Sequence, residues 1–451
     1  MRPTSVRLAT GVGAALVLAA PLIAQTPPAV AFTDTRLENG LRVIIAEDRS
    51  APVFSIAVHY DVGSRNEREG RTGFAHLFEH MMFKGSENVG PGEHFMLVFT
   101  NGGNMNGTTS KDRTLYFETL PSNQLDLGLF LEADRMRSLE ITQENLDNQR
   151  NAVQEERRLG VDNQPYGRTF EAIDELAYEN PAYAHSVIGS MADLSAATVD
   201  DVSSFFKTYY APNNAVVAIV GDIDPKTTLE KVRKHFGGIP AQPAPPMVDL
   251  NEPAQTEERR LALDDALARL PRIDIVYHVP DRSSPDDDAI GVLGTVLAGG
   301  QSSRLYQSIV RERQLAASVS AGRDGAVGPG LFRITATAAP GRALEALEAA
   351  IYEEVERAKR EPVADWEMDK ARNSARRQVV SSLTSSLQRA ITLAADAAFY
   401  DDPGRINTRV ERLGHVKPDD VQRVAKQYLT PENRTVVVTT PKPATAPKGG
   451  L

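Results

Sequence analysis

The sequence predicts an α+β chain made of two homologous domains, and three observations carry that prediction. The first is an internal repeat. Asp200-Asp201-Val202 with Tyr209, Pro212, Asn214 and Val217 recurs without a gap as Asp419-Asp420-Val421 with Tyr428, Pro431, Asn433 and Val436, at an offset of 219 residues throughout. Each copy reads as a helix ending in an aromatic residue, a proline turn and an apolar strand, so each half is a unit of about 200 residues. The second is the stretch Ile239 to Glu258, which holds Pro240, Pro243, Pro245, Pro246 and Pro253. It suits neither helix nor strand and reads as an extended linker between a domain over 32–238 and another over 259–440. The third is the alternation of strand-like and helix-like apolar periods along the first half.

In chain order, the N-terminus comes first. Arg2 and Arg7 precede an apolar stretch from Leu8 to Ala24, and small-residue sites follow at Ala24 and at Ala29-Val30-Ala31. This is the pattern of a signal peptide over residues 1–31 and implies export to the periplasm or beyond. Pro21 and Gln25-Thr26-Pro27-Pro28 end the stretch short of the ~20 residues that a spanning helix needs, so no stable membrane insertion is expected. Thr35 to Ile45 and Val53 to Val62 then read as a strand pair, and the charged, glycine-bearing stretch Gly63 to Gly73 as a loop. Asn101 to Gly107 reads as a turn, Thr114 to Leu120 as a strand, and Leu125 to Met136 and Gln143 to Val161 as helices. The tail, 441–451, has the composition of a disordered segment.

Composition narrows the function. With 451 residues, 41% hydrophobic and 24% charged, the chain is an ordinary globular protein. A formal net charge of −10 argues against nucleic acid as a partner, since phosphate contacts need clustered lysine and arginine. Zero cysteines exclude a lipoprotein attachment site, disulfides and thiolate metal ligands.

The chemistry concentrates in His76-Leu77-Phe78-Glu79-His80. Two imidazoles four apart on a helix share one face and can grip one metal ion, and the Glu79 carboxylate projects toward the same edge, where a general base is needed. The order inverts the commoner His-Glu-x-x-His motif and is the inverzincin pattern. The motif is embedded in the mostly apolar run Gly73 to Ser86, in which ligand groups are costly unless paired or metal-bound. Zinc on two histidines needs a third protein ligand and keeps a fourth position open. The helix Gln143 to Val161 offers Glu155 and Glu156, and side chains adjacent on a helix diverge by about 100°, so at most one faces the metal. The corresponding helix of the second copy, Ala289 to Gly300, has neither histidine nor glutamate, so one half carries the chemistry.

The segment Gly63-Ser64-Arg65-Asn66-Glu67 through Phe83-Lys84-Gly85 resembles the pitrilysin/insulinase family of zinc peptidases, nearest its mitochondrial-processing-peptidase-like branch. The resemblance spans essentially the whole mature chain. It implies two α/β-roll domains, each an antiparallel-rich sheet with flanking helices, in a clam-shell arrangement, with one zinc ion per chain and peptides or unfolded polypeptides as substrates. In that family the third ligand is a glutamate about seventy-six residues after the second histidine, which falls on Glu156 and leaves Glu155 as its solvent-side neighbour. Asn106-Gly107-Thr108-Thr109 followed by Asp112-Arg113-Thr114-Leu115-Tyr116 is similar to the family's Asn-Ala-x-Thr…Asp-x-Thr-x-Tyr signature. That implies a substrate-backbone contact for Asn106, beside an edge strand that pairs with an extended peptide. Gly107 replaces the usual alanine and is expected to loosen the start of the strand. Gln149 stands where many relatives carry a second glutamate. Arg323 matches the second-domain arginine that holds substrate, and no tyrosine partner for it is matched. Gly299 to Tyr306 looks like the family's second-domain turn and helix and lacks the Gly-Lys-Ser/Thr ending of a phosphate loop. The family also implies a homodimer or a heterodimer with a similar subunit. The alternative to a peptidase acting by itself is a subunit of a hetero-oligomeric peptidase or a non-catalytic scaffold of the same fold, and the intact motif favours the enzyme.

Overall fold

The structure is a computed structural model that describes residues 29–442; the tail from 443 on, and the expected signal up to residue 28, lie outside the described residues. The first half builds a six-stranded sheet from β1 (Thr33–Arg36), β2 (Arg42–Glu47), β3 (Val53–Tyr60), β4 (Asn104–Thr109), β5 (Thr114–Pro121) and β6 (Ala215–Gly221). Their order is β1-β2-β6-β3-β5-β4, with β2 and β6 parallel and all other neighbours antiparallel. The second half builds a five-stranded sheet from β7 (Arg259–Asp265), β8 (Arg272–Val279), β9 (Ala316–Asp324), β10 (Gly330–Ala338) and β11 (Arg434–Pro441). Its order is β7-β11-β8-β10-β9, again with one parallel pair, β7 and β11. Without β1 the two sheets have the same order and the same parallel pair. The sequence repeat therefore marks equivalent strands: Val217 lies on β6 and Val436 on β11.

Several expected boundaries move. Thr35 to Ile45 is not one strand but two, because the chain reverses at Gly40, whose φ is 85° and where a Cβ would lie 2.7 Å from Asn213 Cβ. The strands expected to pair, β2 and β3, are separated by β6, which pairs with both. β6 reads Ala-Val-Val-Ala-Ile-Val-Gly and is buried throughout, as suits a central strand covered on both faces. The expected turn Asn101 to Gly107 is a strand from Asn104 onward. The helix from Gln143 ends at Arg157 and continues only as one wider turn, Arg158–Asp162.

Five helices of the first half matter for the site: α1 (Phe74–Met81), α2 (Glu93–Thr100), α3 (Leu125–Arg137), α4 (Gln143–Arg157) and α5 (Gly167–Ala177). One face of the first sheet joins a core that holds Phe78, Met81, Leu129 and Val153 from these helices. The other face is covered by helix Ser386–Tyr400 of the second half, whose Ala390, Leu393 and Ala394 are fully buried against Ile44, Ala57, Leu115 and Val220. The exchange is reciprocal, since α5 sets Ile173 and Ala177 against Val276, Leu331 and Val437 of the second sheet. Each fully buried leucine or isoleucine at such a face contributes about 1.5–3 kcal/mol. The halves of this two-domain clam-shell thus lend each other a helix. Between them Ile239 to Glu258 runs without helix or strand, fastened where the Glu252 carboxylate accepts the Glu179 and Asn180 N–H groups at 2.8 and 3.0 Å.

Candidate metal centre

α1 starts where the Glu67 carboxylate accepts the N–H groups of Gly73 (2.8 Å) and Ala75 (2.7 Å). This satisfies donors that the first turn leaves free, while burial raises the Glu67 carboxyl well above the usual carboxylate range. Gly73 has φ 85°, and a Cβ there would lie 2.5 Å from the Ile188 carbonyl oxygen. Only glycine allows that approach. Phe74, Leu77, Phe78 and Met81 then bury one face, which turns His76 and His80 toward α4.

α4 is capped by the Thr142 hydroxyl, which accepts the Asn145 N–H at 3.1 Å. The Asn145 amide donates to the Lys84 carbonyl just past α1 (3.2 Å) and to the Glu140 carbonyl (3.0 Å), so the two helices are tied at one end. Leu146, Gln149 and Val153 are buried along α4, and continuing that stripe by three residues brings Glu156 to the histidines. Glu156 Oε1 lies 3.6 Å from His76 Nε2 and Oε2 lies 3.3 Å from His80 Nε2. One ligand atom from each of the three residues fits within 4.8 Å of the others. Glu155 points away and pairs with Arg158 at 3.0 Å. Gln149 donates to its neighbour Asn148 at 2.5 Å.

The electrostatics suit a ligand set. Burial, with the neighbouring His80, holds His76 down to about 4, so its imidazole is neutral. The hydrogen bond with His80 lowers the Glu156 carboxyl, which stays ionised. Glu79 differs: it is buried, and burial raises its carboxyl while the Thr109 hydroxyl, donating to Oε2 at 2.5 Å, opposes the rise. A neutral His76 imidazole, an ionised Glu156 carboxylate and a Glu79 carboxylate of raised proton affinity thus meet beside His80.

Asn106 lies on β4, the edge strand of its sheet, on the strand face opposite Gly107 and Thr109, and its Oδ1 accepts the Gly107 N–H at 2.9 Å. Gly107 does not interrupt the strand. A Cβ there would lie 2.9 Å from Glu79 Cγ and 3.1 Å from Oε1, so the glycine makes room for the carboxylate. Thr109, two residues on and on the same face, belongs to the signature read in the sequence but has no role assigned there; the period-2 alternation of a strand that passes Glu79 is the signal that gives it one. Arg323 lies on β9 and pairs with Asp287. Burial lowers its proton affinity, and Tyr400 opposes this from the helix lent to the first sheet. None of these Arg323 neighbours belongs to the His76, His80 and Glu156 group. Tyr400 follows Arg323 by 77 residues, and no local pattern could have joined them. The halves also meet at Asp112, which is buried and accepts from Arg65 (3.1 Å) and Tyr183 (2.7 Å) of the first half and from Arg282 (3.2 Å) and the Val327 N–H (2.9 Å) of the second.

Comparison with known proteins follows the same division. Residues 42–190 match the insulinase family, peptidase family M16, and residues 196–375 match the peptidase M16 inactive domain. The chain is 31% identical over 408 residues to the zinc protease PqqE of Helicobacter pylori, covering 90% of this chain and 92% of that one. It is 25% identical to a probable mitochondrial-processing peptidase subunit beta of Arabidopsis thaliana, covering 91% and 79%. The crystal structure of a protease from Helicobacter pylori superposes with a TM-score of 0.87 at 31% identity, covering 91% of this chain and all of that one.

Proposed function

The chain belongs to the insulinase family of peptidases, family M16, and from that premise we propose that it is a zinc-dependent endopeptidase acting on peptides or unfolded polypeptides. The observation that carries the proposal is the convergence of His76, His80 and Glu156 within 4.8 Å, with the buried Glu79 carboxylate on the same helix. Two imidazoles facing one carboxylate form the nitrogen and oxygen donor set that zinc prefers, with room for one further position. When bound there, zinc supplies Lewis acidity, polarising water and the scissile carbonyl.

The remaining steps fall to the chain. Glu79 keeps Oε2 on the Thr109 hydroxyl, which leaves Oε1 to take the proton of the attacking water and deliver it to the leaving amine. Its raised proton affinity suits both halves of that task. β4 is an edge strand with unpaired backbone groups on its outer side, and an extended peptide can add there as a further strand, met by the Asn106 side chain. Arg323 is the contact assigned to the second domain. Folded proteins offer no free strand, so unstructured segments are the substrate class. The expected assembly is a homodimer or a heterodimer with a similar subunit, in keeping with the subunit name of the plant relative, and the expected site of action is the periplasm or the exterior. No helix among the described residues is long and apolar enough to cross a membrane.

Replacing Glu79 by Gln removes the base and no ligand. Hydrolysis of an unstructured peptide should fall by about 10²–10⁴-fold while metal analysis still finds zinc on His76, His80 and Glu156. Turnover at the wild-type rate would reject the mechanism. Loss of zinc together with activity would make Glu79 a ligand instead.

A further inference from the structure

We propose that His94, Glu118 and Glu132 hold a second divalent cation, of the zinc class, as a structural tie inside the first domain. The three residues come from α2, β5 and α3 and are 4%, 0% and 1% exposed. One ligand atom from each lies within 4.8 Å of the others, and His94 Nε2 stands 3.5 Å from Glu118 Oε2. That separation is too long for a good hydrogen bond. Neither oxygen of Glu118 nor Nε2 of His94 has a hydrogen-bond partner. Buried polar atoms are almost always satisfied, and His94 Nε2 with Glu118 Oε2, both unpartnered and 3.5 Å apart, call for a common occupant.

Charge and donor chemistry identify it. Glu132 accepts from Arg135 Nε at 3.0 Å and Nη2 at 2.5 Å, and the guanidinium lies over the rings of Tyr116 (4.4 Å) and Phe83 (5.2 Å). Arg135 is thus the partner that orients one ligand carboxylate, as carboxylates on metals usually require. Two carboxylates face one guanidinium, and burial pushes the Glu118 carboxyl up to about 7 and raises that of Glu132, because an anion without a further cation is costly in the core. A proton on Glu118 would have to bridge 3.5 Å to His94, a poor hydrogen bond, and would not engage Glu132. A cation about 2.0–2.2 Å from each ligand satisfies all three residues after a small contraction, and one nitrogen with two oxygens is a set that zinc accepts. Burial holds His94 down to about 3 and so keeps it in the neutral, ligating form. α3 also carries a glycine in its interior, Gly128, at a cost of about 1 kcal/mol relative to alanine. A Cβ there would lie 2.7 Å from Glu118 Oε1, so the glycine keeps this carboxylate's place open.

The test is zinc stoichiometry of the full chain, loaded with Zn²⁺, desalted and measured by mass spectrometry. Wild type should hold two ions, Glu118→Gln one, and the double variant His76→Ala/Glu156→Ala one. Chelation should then lower the melting temperature of that double variant, whose second cluster is untouched. A double variant that keeps no zinc overturns the proposal, whether or not Glu118→Gln folds, and leaves Glu118 and His94 sharing a proton. If wild type holds a single ion that is lost in Glu118→Gln and kept in the double variant, the second site stands and the peptidase mechanism fails.

Discussion

α1 and helix Asp287–Ala298 hold the same place in the two halves: each follows a central antiparallel strand, β3 or β8, and precedes the edge strand, β4 or β9. The second helix buries Ala289, Ile290, Val292, Leu293, Val296 and Leu297 and has no ionisable group beyond Asp287 and Asp288 in its first turn. α1 buries Phe74, Leu77, Phe78 and Met81 and, with them, the Glu79 carboxylate. The contact with the edge strand differs in the same sense. In the second half Gly294 brings the helix against Gly322, where a Cβ would lie 3.2 Å from Gly322 Cα. In the first half the strand supplies the glycine, Gly107, and the helix fills the space with Glu79. The inert copy shows what this packing position selects when only burial matters. Against it, His76, Glu79 and His80 stand out as polar groups on a helix whose counterpart has no histidine or glutamate.

The largest effect that would break this contrast lies at the third ligand. Glu156→Gln should weaken zinc binding by more than the ~10–100-fold lost with an outer hydrogen-bond partner, whereas Glu155→Gln should leave it unchanged; competition with a chelator measures both. The opposite pattern would move the helix phase by one residue. Asp112→Ala tests whether the second half is coupled to the half with the metal-ligand cluster, since it strips a shared acceptor from Arg65, Tyr183, Arg282 and the Val327 N–H. It should cost about 3–5 kcal/mol and split urea unfolding into two transitions, with zinc content unchanged. A single unshifted transition would mean that the halves are held by their exchanged helices alone.

A matched pair of substitutions sharpens the comparison at the edge strands. Gly107→Val should crowd Glu79 and lower kcat by up to ~10²-fold, as a 1 Å misplacement can do, with zinc retained. Gly294→Ala should change stability by about 1 kcal/mol or less and leave kcat alone. Equal effects on kcat would erase the distinction between the halves.

The smallest effect concerns the face that the halves share. His59 is buried edge-on to Phe399, 4.9 Å between ring centroids, and burial holds it down to about 3. The unfolded chain therefore takes up the proton first. The stability associated with a neutral His59 is fully present above its unfolded value of 6.5 and is lost as pH falls from there toward 3, at up to ~1.4 kcal/mol per pH unit. Compared with wild type at pH 7, His59→Phe should gain about 2 kcal/mol in relative stability at pH 5, read as the difference between urea midpoints. A pH-independent difference would mean that His59 is solvated when folded.

The sequence by itself determined what depends on short spacings or on copying. Histidines four apart share a helix face wherever that helix packs, and Glu79 between them follows from the same 3.6-residue period. The repeat determined two equivalent strand orders, because equal patterns bury equal faces. Tertiary structure alone decided the rest. Thr35 to Ile45 and Val53 to Val62 carry no mark that β6, over 150 residues later, will insert between them; only the burial of both sheet faces selects that pairing. The exchange of α5 for helix Ser386–Tyr400 is equally silent, since an apolar stripe states that a helix must be covered and not which half covers it. Thr109 beneath Glu79, Tyr400 beside Arg323, and Asp112 between the halves were fixed by contacts across strands and domains. Those contacts arise from how faces pack, and their partners lie too far apart along the chain for any periodicity to connect them.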